Sequence, residues 1–477
     1  TIFFNAVVKN SLNGIIPADE SKIICMKKVL NIPAGNSTVL KLIRGVIEAA
    51  KDINEIIPSC ESLMNDDLDK YMKEDEKIYE NIPALHFENP DQELLFWNAF
   101  TLIRQCMLPP EGECSYNYYV FSREPRWGWG YGGQVFHESL TMLAYVFMDP
   151  QSAMNSQRVF MERQLPDGYI NYRTGPYLNE SIPENGQLTS SAPWFNWENW
   201  EIYKITKDKD FLRQAYESGK MFYDYYTSNR DSDKDGLCEW GANAVLECVR
   251  DARVAVWDEV GDPSNFEDVD CNIMLVSEAK SLSSMAGELG LSEEAESWMK
   301  DAQKRTDLIN KFMWDPETGF YYNINKTDHS FTFKNKNDLK RKEIIAFLSL
   351  WAGVADKEQA AALMKHLLNP EEFWRNYGVP TLSADDSYYN PMGYWNGPVW
   401  VQWDYLVFRG LLNYGYNKEA KELAKKVMSN MIYQLKTDHW FWEFYSPDDH
   451  QAGWNKTYIW AGIISRFIID LSGINVK

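Results

Sequence analysis

The sequence predicts a mainly α protein: a closed toroid of six helical hairpins in two layers, preceded by a fragment of a β-domain. Three observations predict it. Apolar residues recur at i, i+3 and i+4 in twelve segments between residue 89 and the end of the chain. The connections between those segments alternate between long and tight. The first 48 residues lack that period and read as short β-favouring runs.

Taken in order, residues 1–48 carry Thr1-Ile2-Phe3-Phe4, Lys22-Ile23-Ile24-Cys25-Met26, Val29-Leu30-Asn31-Ile32 and Thr38-Val39-Leu40-Lys41-Leu42-Ile43. A turn is expected at Pro33-Ala34-Gly35-Asn36. Four short runs are too few for a stable sandwich, so they read as the C-terminal part of a β-sandwich-like domain. Residues 49–88 are polar, with a mixed charge run over 65–80, and read as a helical linker. Residues 89–477 are the barrel. Its helices are expected near 90–108, 134–149, 151–164, 190–207, 208–229, 270–290, 291–314, 339–355, 357–368, 397–414, 416–436 and 455–472. Asp149-Pro150 and Asn369-Pro370 each set a capping residue before a first-turn proline.

The tight connections fall near 150, 207, 290, 356 and 415, and the long ones follow 108, 164, 229, 314, 368 and 436. Tight turns make antiparallel pairs. An open solenoid would show one repeat length and tight loops throughout, which this chain does not. All long loops then emerge on one face, where the inner helices begin, and long loops in a compact domain are usually functional.

Composition bounds the partners. Of 477 residues, 45% are hydrophobic and 25% charged, enough for a large core. A net charge of −21 argues against nucleic acid and anionic membrane as partners, since both want basic patches. No apolar run is long enough for a membrane span. The chain starts at Thr1, so the lack of a leader says nothing of export and leaves the compartment open; oligomeric state is equally open. The seven cysteines are scattered without zinc spacing and read as free thiols, Cys106 with Cys114 and Cys238 with Cys248 being the close pairs. Aromatic residues are abundant, at 19 Trp, 27 Tyr and 23 Phe, which reads either as a large aromatic core or as a sugar cleft.

Two stretches pair a carboxyl with aromatic neighbours: Trp257-Asp258-Glu259 and Trp440-Phe441-Trp442-Glu443-Phe444-Tyr445. Such surroundings disfavour the charged form, as a general acid near neutral pH requires. Two carboxyl groups across one bond are the minimum for cleaving a glycoside. Both lie on long loops, and Phe136-His137-Glu138-Ser139 opens the 134–149 helix just after one. Glu138 reads as a sugar ligand or as a helix-start acid paired with Arg126, and His137 as a core histidine. Trp127, Trp129 and Tyr131 form either a stacking wall or a loop packed by its own side chains.

Tyr394-Trp395-Asn396-Gly397-Pro398-Val399-Trp400, with Tyr405 and Arg409-Gly410, resembles a segment of glycoside hydrolase family 63, to which the family 37 trehalases are related. Val269-Asp270-Cys271-Asn272 with Glu278-Ala279-Lys280, Trp314-Asp315-Pro316-Glu317-Thr318-Gly319-Phe320-Tyr321 and Gln164-Leu165-Pro166-Asp167-Gly168 are similar to further segments, in the same order. The resemblance implies an (α/α)6 barrel and an inverting α-glycosidase acting on α-glucosides or oligosaccharides. It places the general acid on Asp258 and the general base on Glu443. Glu138, Trp129, Trp257, Trp395, Trp400 and Trp442 are the expected substrate-binding residues. Val256, Val260, Asn396 and Glu138 depart from the family pattern, and they bear on sugar specificity more than on reaction type. Cleavage itself needs no cofactor.

Asp231, Asp233, Asp235 and Leu237 match the start of a calcium loop, D-x-D-x-D-G, with Ala242 where a closing Glu would stand and Glu278 the candidate to complete the shell. An ordinary acidic turn is the competing reading. The other functions the sequence admits are a sugar-binding barrel without catalysis, a trehalase, or an α-L-rhamnosidase.

Overall fold

The structure, a computed structural model, describes residues 15–17, 24–26, 29–38, 53–124, 133–181, 183–184, 187–188, 191–241 and 266–473. The chain divides into Thr1–Tyr79 and Glu80–Lys477. In the first unit, Ile15–Pro17 pairs antiparallel with Ile24–Met26, and helices Ile53–Asn65 and Leu68–Tyr79 follow. The turn at 33–36 forms, with Asn36 N–H donating to the Pro33 carbonyl, but residues 29–32 are exposed and form no strand with the described residues.

The second unit holds a helix at every one of the twelve expected places. The outer helices are Pro90–Cys106, Pro150–Glu162, Lys209–Asn229, Ser292–Phe312, Lys357–Leu367 and Asn417–Thr437. The inner ones are Phe195–Thr206, Val269–Glu288, Val401–Asn413 and three that open as a 3-10 turn: Phe136–Thr141 into Met142–Tyr145, Ile344–Phe347 into Leu348–Trp351, and Ile459–Ile463 into Ile464–Leu471. Each inner helix packs on the next, and the last packs on the first, closing the ring as an (α/α)6 barrel.

Local chemistry sets the helix starts. Asn89, Asp149 and Asp208 each accept a hydrogen bond from the backbone N–H three residues on, and Asp356 forms a capping box with Gln359. Asn369-Pro370 is a correction: it opens a tight turn, with the Phe373 N–H bonded to the Asn369 carbonyl, and no helix follows. The inner ring is close-packed through glycine. A Cβ on Gly462 would stand 2.4 Å from Ile103, and one on Gly410 would stand 2.8 Å from Leu350.

The far end of the ring, away from the long loops, carries a cluster of buried and half-buried ions. Arg409 and Arg466 both face Glu201 and Asp470, at 2.8–3.7 Å, and Arg466 also donates to the Leu143 carbonyl at 2.7 Å. Burial alone would raise Glu201; Arg409, Lys204 and Arg466 outweigh it and hold the carboxyl below its usual range.

Cys60, Cys106, Cys114, Cys238 and Cys271 are free thiols, so Cys106 and Cys114 do not pair. Among the described residues no helix is long and apolar enough to cross a membrane.

Candidate active site

The site is built on a three-stranded antiparallel ribbon at the loop face. Trp442–Tyr445 pairs with Ala452–Tyr458, which pairs in turn with Ser122–Glu124. The register shifts between Trp442 and Phe444, at Glu443. A bulge re-aims a side chain, and here it turns the Glu443 carboxyl into the interior, fully buried.

Three donors hold that carboxyl. Tyr394 Oη–H donates to Oε1 at 2.9 Å, while Asn455 donates to Oε2 from Nδ2 at 2.7 Å and from its backbone N–H at 3.2 Å. Hydrogen bonds of this kind favour the charged form of a carboxyl. Trp460 Nε1–H bonds the Glu443 carbonyl at 2.9 Å and fixes the backbone. The Tyr394 loop is pinned to the same strand, since Val399 and Tyr445 exchange both backbone hydrogen bonds.

Glu138 is the second carboxyl. It sits in the 3-10 turn that opens the first inner helix and has no exposed surface. Tyr458 Oη–H donates to its Oε1 at 2.8 Å, whereas Oε2 accepts no hydrogen bond from the described residues. Burial, with Glu443 nearby as a like charge, pushes its pKa well above the usual carboxyl range. A shift in that direction favours the protonated form of Glu138, which carries an O–H. Asn455 and Tyr458 lie on one strand, so one element aligns both carboxyl groups. The next residue, Ser139, donates to Glu198, which also accepts from Gln157 Nε2 at 2.9 Å.

His137 is buried against the edges of Tyr172 and Trp194, and burial lowers its pKa to about 3. It stays a neutral core histidine. Trp395 and Trp400 stack face to face at 3.5 Å with no exposed surface, so they back the Tyr394 loop and present no open face. Trp442 is partly exposed, with the Lys456 ammonium 5.4 Å from its ring centre. Asp258, Trp257 and Trp129, with Arg126, Trp127 and Tyr131, lie outside the described residues. The sequence reading missed Asn455 and Tyr458. It extended the last helix back to residue 455, across residues that are strand to Tyr458.

The acidic loop is a separate cluster. Asp231 accepts from the Asp235 and Gly236 N–H groups, each at 3.1 Å, so it shapes the turn. Leu237 is buried, its N–H bonded to Asp235. Asp233, Asp235, Glu267 and His329 bring ligand atoms within 4.8 Å of one another. Glu267 is fully buried, and neither of its oxygens has a hydrogen-bond donor among the described residues. Burial and the carboxylates of Asp235, Asp233, Glu239 and Asp231 push its pKa up to about 9. An orphaned buried carboxyl facing two more carboxylates and an imidazole fits a divalent cation. Glu278 takes no part. It accepts the N–H groups of Asn196 and Trp197, at 2.8 and 2.9 Å, and so caps the Phe195–Thr206 helix.

Twelve helices in a closed ring, with two buried carboxyl groups at the mouth, define the chain as a glycoside-hydrolase barrel. It belongs to the mannosylglycerate hydrolase MGH1-like glycoside hydrolase family, whose model matches residues 140–461. The chain is 27% identical over 205 residues to a mannosylglycerate hydrolase of Rubrobacter radiotolerans, covering 42% of this chain and 43% of that enzyme. A probable mannosyl-oligosaccharide glucosidase of Schizosaccharomyces pombe is 26% identical over 289 residues, covering 55% of this chain and 35% of that one. The matches thus span less than half the length of these curated relatives. The solved structure of a family 63 mannosylglycerate hydrolase from Thermus thermophilus in complex with glucose superposes with a TM-score of 0.63 at 18% identity, over 80% of this chain and all of that one. Neutral trehalase from Saccharomyces cerevisiae superposes at 0.59 and 17% identity, over 78% and 80%. The expected kinship with families 63 and 37, and the expected barrel, are both borne out.

Proposed function

We propose that the protein is an inverting, exo-acting α-glycosidase that releases a terminal hexose from a small α-linked glucoside or mannoside. The observation that carries this reading is the Glu443 carboxyl, buried and held on both oxygens, with a second buried carboxyl, Glu138, held from the same strand. Glu443 acts as general base. It takes a proton from a water attacking the anomeric carbon on the face opposite the departing oxygen. Asp258 protonates that oxygen. Inversion requires about 6.5–9.5 Å between the two carboxyl groups, room for the water. Glu138 donates its O–H to a sugar hydroxyl, with Tyr458 fixing its orientation. Exo action is part of the proposal, and it requires a pocket with one mouth that admits a chain terminus. The names of the relatives support the substrate class, through hydrolases of mannosylglycerate and a glucosidase of oligosaccharides.

The reading is tested by following product anomers by NMR with α-glucosides, mannosylglycerate and trehalose. The hexose whose anomeric carbon is attacked is expected to appear first as the β-anomer, alone from α-glucosides and mannosylglycerate and with an equal amount of α-glucose from trehalose. The α-anomer alone excludes inversion, and no turnover of any substrate excludes the glycosidase.

Asp233, Asp235, Glu267 and His329 are proposed as the residues that hold a divalent cation, with calcium the first candidate. When bound, it neutralises the carboxylates and ties the acidic loop to the strand Phe266–Glu267 and to the turn bearing His329.

A further inference from the structure

Three indoles around the Tyr394 loop, those of Trp395, Trp400 and Trp460, offer a sugar no free surface. Trp395 and Trp400 cover each other, and Trp460 stands edge-on to Trp400 at 4.8 Å. Trp454 differs. It is 53% exposed, and its ring centre lies 5.7 Å from that of Tyr394, whose hydroxyl donates to Glu443. Its chain neighbour Asn455 holds the other Glu443 oxygen.

The backbone at Trp454 is strained. Its φ of +72° lies in the left-handed region, inside a strand, where a bulky residue is an outlier. Gly453 beside it packs against Phe444 and Met392, where a Cβ would sit at 3.1–3.2 Å. The indole keeps about half its surface in solvent, its only aromatic neighbour among the described residues is Tyr394, and backbone strain of this kind gathers at ligand sites. A flat apolar face with a polar edge, open to solvent beside a carboxylate base, suits the C–H face of a pyranose ring.

We propose that Trp454 is a carbohydrate-stacking platform at the mouth of the site, on which a pyranose ring of the substrate lies while the bond to be cut sits beside Glu443. The proposal rests on the glycosidase reading for its purpose, but the stacking can be measured without turnover.

The test is Trp454→Gly, with Trp454→Phe beside it. Glycine accepts the left-handed backbone, so Trp454→Gly is expected to melt at or above the wild-type temperature; a Tm several degrees lower would make Trp454 a structural residue and overturn the proposal. Binding of α-linked disaccharides is followed by calorimetry in the Glu443→Gln background. Adding Trp454→Gly is expected to weaken it roughly tenfold, whereas Trp454→Phe retains most of the affinity. In active enzyme the loss falls on KM rather than kcat. Equal affinity and equal KM with and without the indole overturn the platform and leave the glycosidase standing. Sugar binding that needs Trp454, in a wild-type protein that cleaves nothing, removes the glycosidase and leaves the platform. Wild-type protein that neither binds nor cleaves these sugars removes both.

Discussion

A single carboxyl can be read by what its neighbours donate. Glu443 receives hydrogen bonds on both oxygens and Glu138 on one. On the proposed reading, that asymmetry suits Glu443 to the base and Glu138 to holding a proton. Glu443→Gln should fold normally and lower kcat by about 10³-fold, the scale of a lost general base. Glu138→Gln should be far milder than Glu138→Ala, because a neutral amide can still donate where a neutral carboxyl did. If Glu138→Gln were as damaging as Glu443→Gln, Glu138 would have to work as an anion. Steady-state kinetics on one α-glycoside decides both. The sequence pointed to Glu443 by its aromatic neighbours and to Glu138 by its family resemblance at a helix start. It could not show that Trp395 and Trp400 face each other, since composition reports an indole but not which side is covered.

Strands and loops carry the parts that periodicity reads least well. Apolar spacing located all twelve helices, yet it swallowed Asn455 and Tyr458 into the last one, because a short strand running straight into an inner helix leaves no break in the pattern. The acidic loop was visible as D-x-D-x-D-G, while its partners Glu267 and His329 come from elements that only folding brings near. Its response to pH has a definite sign. Glu267 has a folded pKa of about 9, above its ordinary value near 4.5, so the cation-free fold holds a proton that the unfolded chain releases. On that account the cation-free protein loses stability as pH rises from about 4.5 to 9. Added calcium should therefore raise Tm more at pH 8 than at pH 5, and EDTA should reverse the gain. Glu267→Gln should abolish the calcium response. A wild-type Tm indifferent to calcium and EDTA at pH 8 would show that no such cation binds.

Across the molecule, one end of the ring carries the candidate site and the other is locked by charge. Arg409→Met would leave Glu201 and Asp470 short of a buried partner. It should destabilise the fold by about 3–5 kcal/mol, read as a lower urea midpoint. It should also impair the site indirectly, since the inner helices joined at that end carry the loops at the other. The alternation of long and tight connections made the toroid legible before any side chain was placed; the ion lock was not, because its members lie on three helices far apart in sequence. The ring closes where Pro90–Cys106 meets the last inner helix, with Gly462 against Ile103 and Lys436 paired to Asp91. Such contacts, more than three hundred residues apart, give the chain a high contact order. On the ribosome the nascent barrel must wait, five hairpins assembled and one flank unzipped, until its final helix leaves the exit tunnel. Through that interval its apolar inner wall is a target for chaperones.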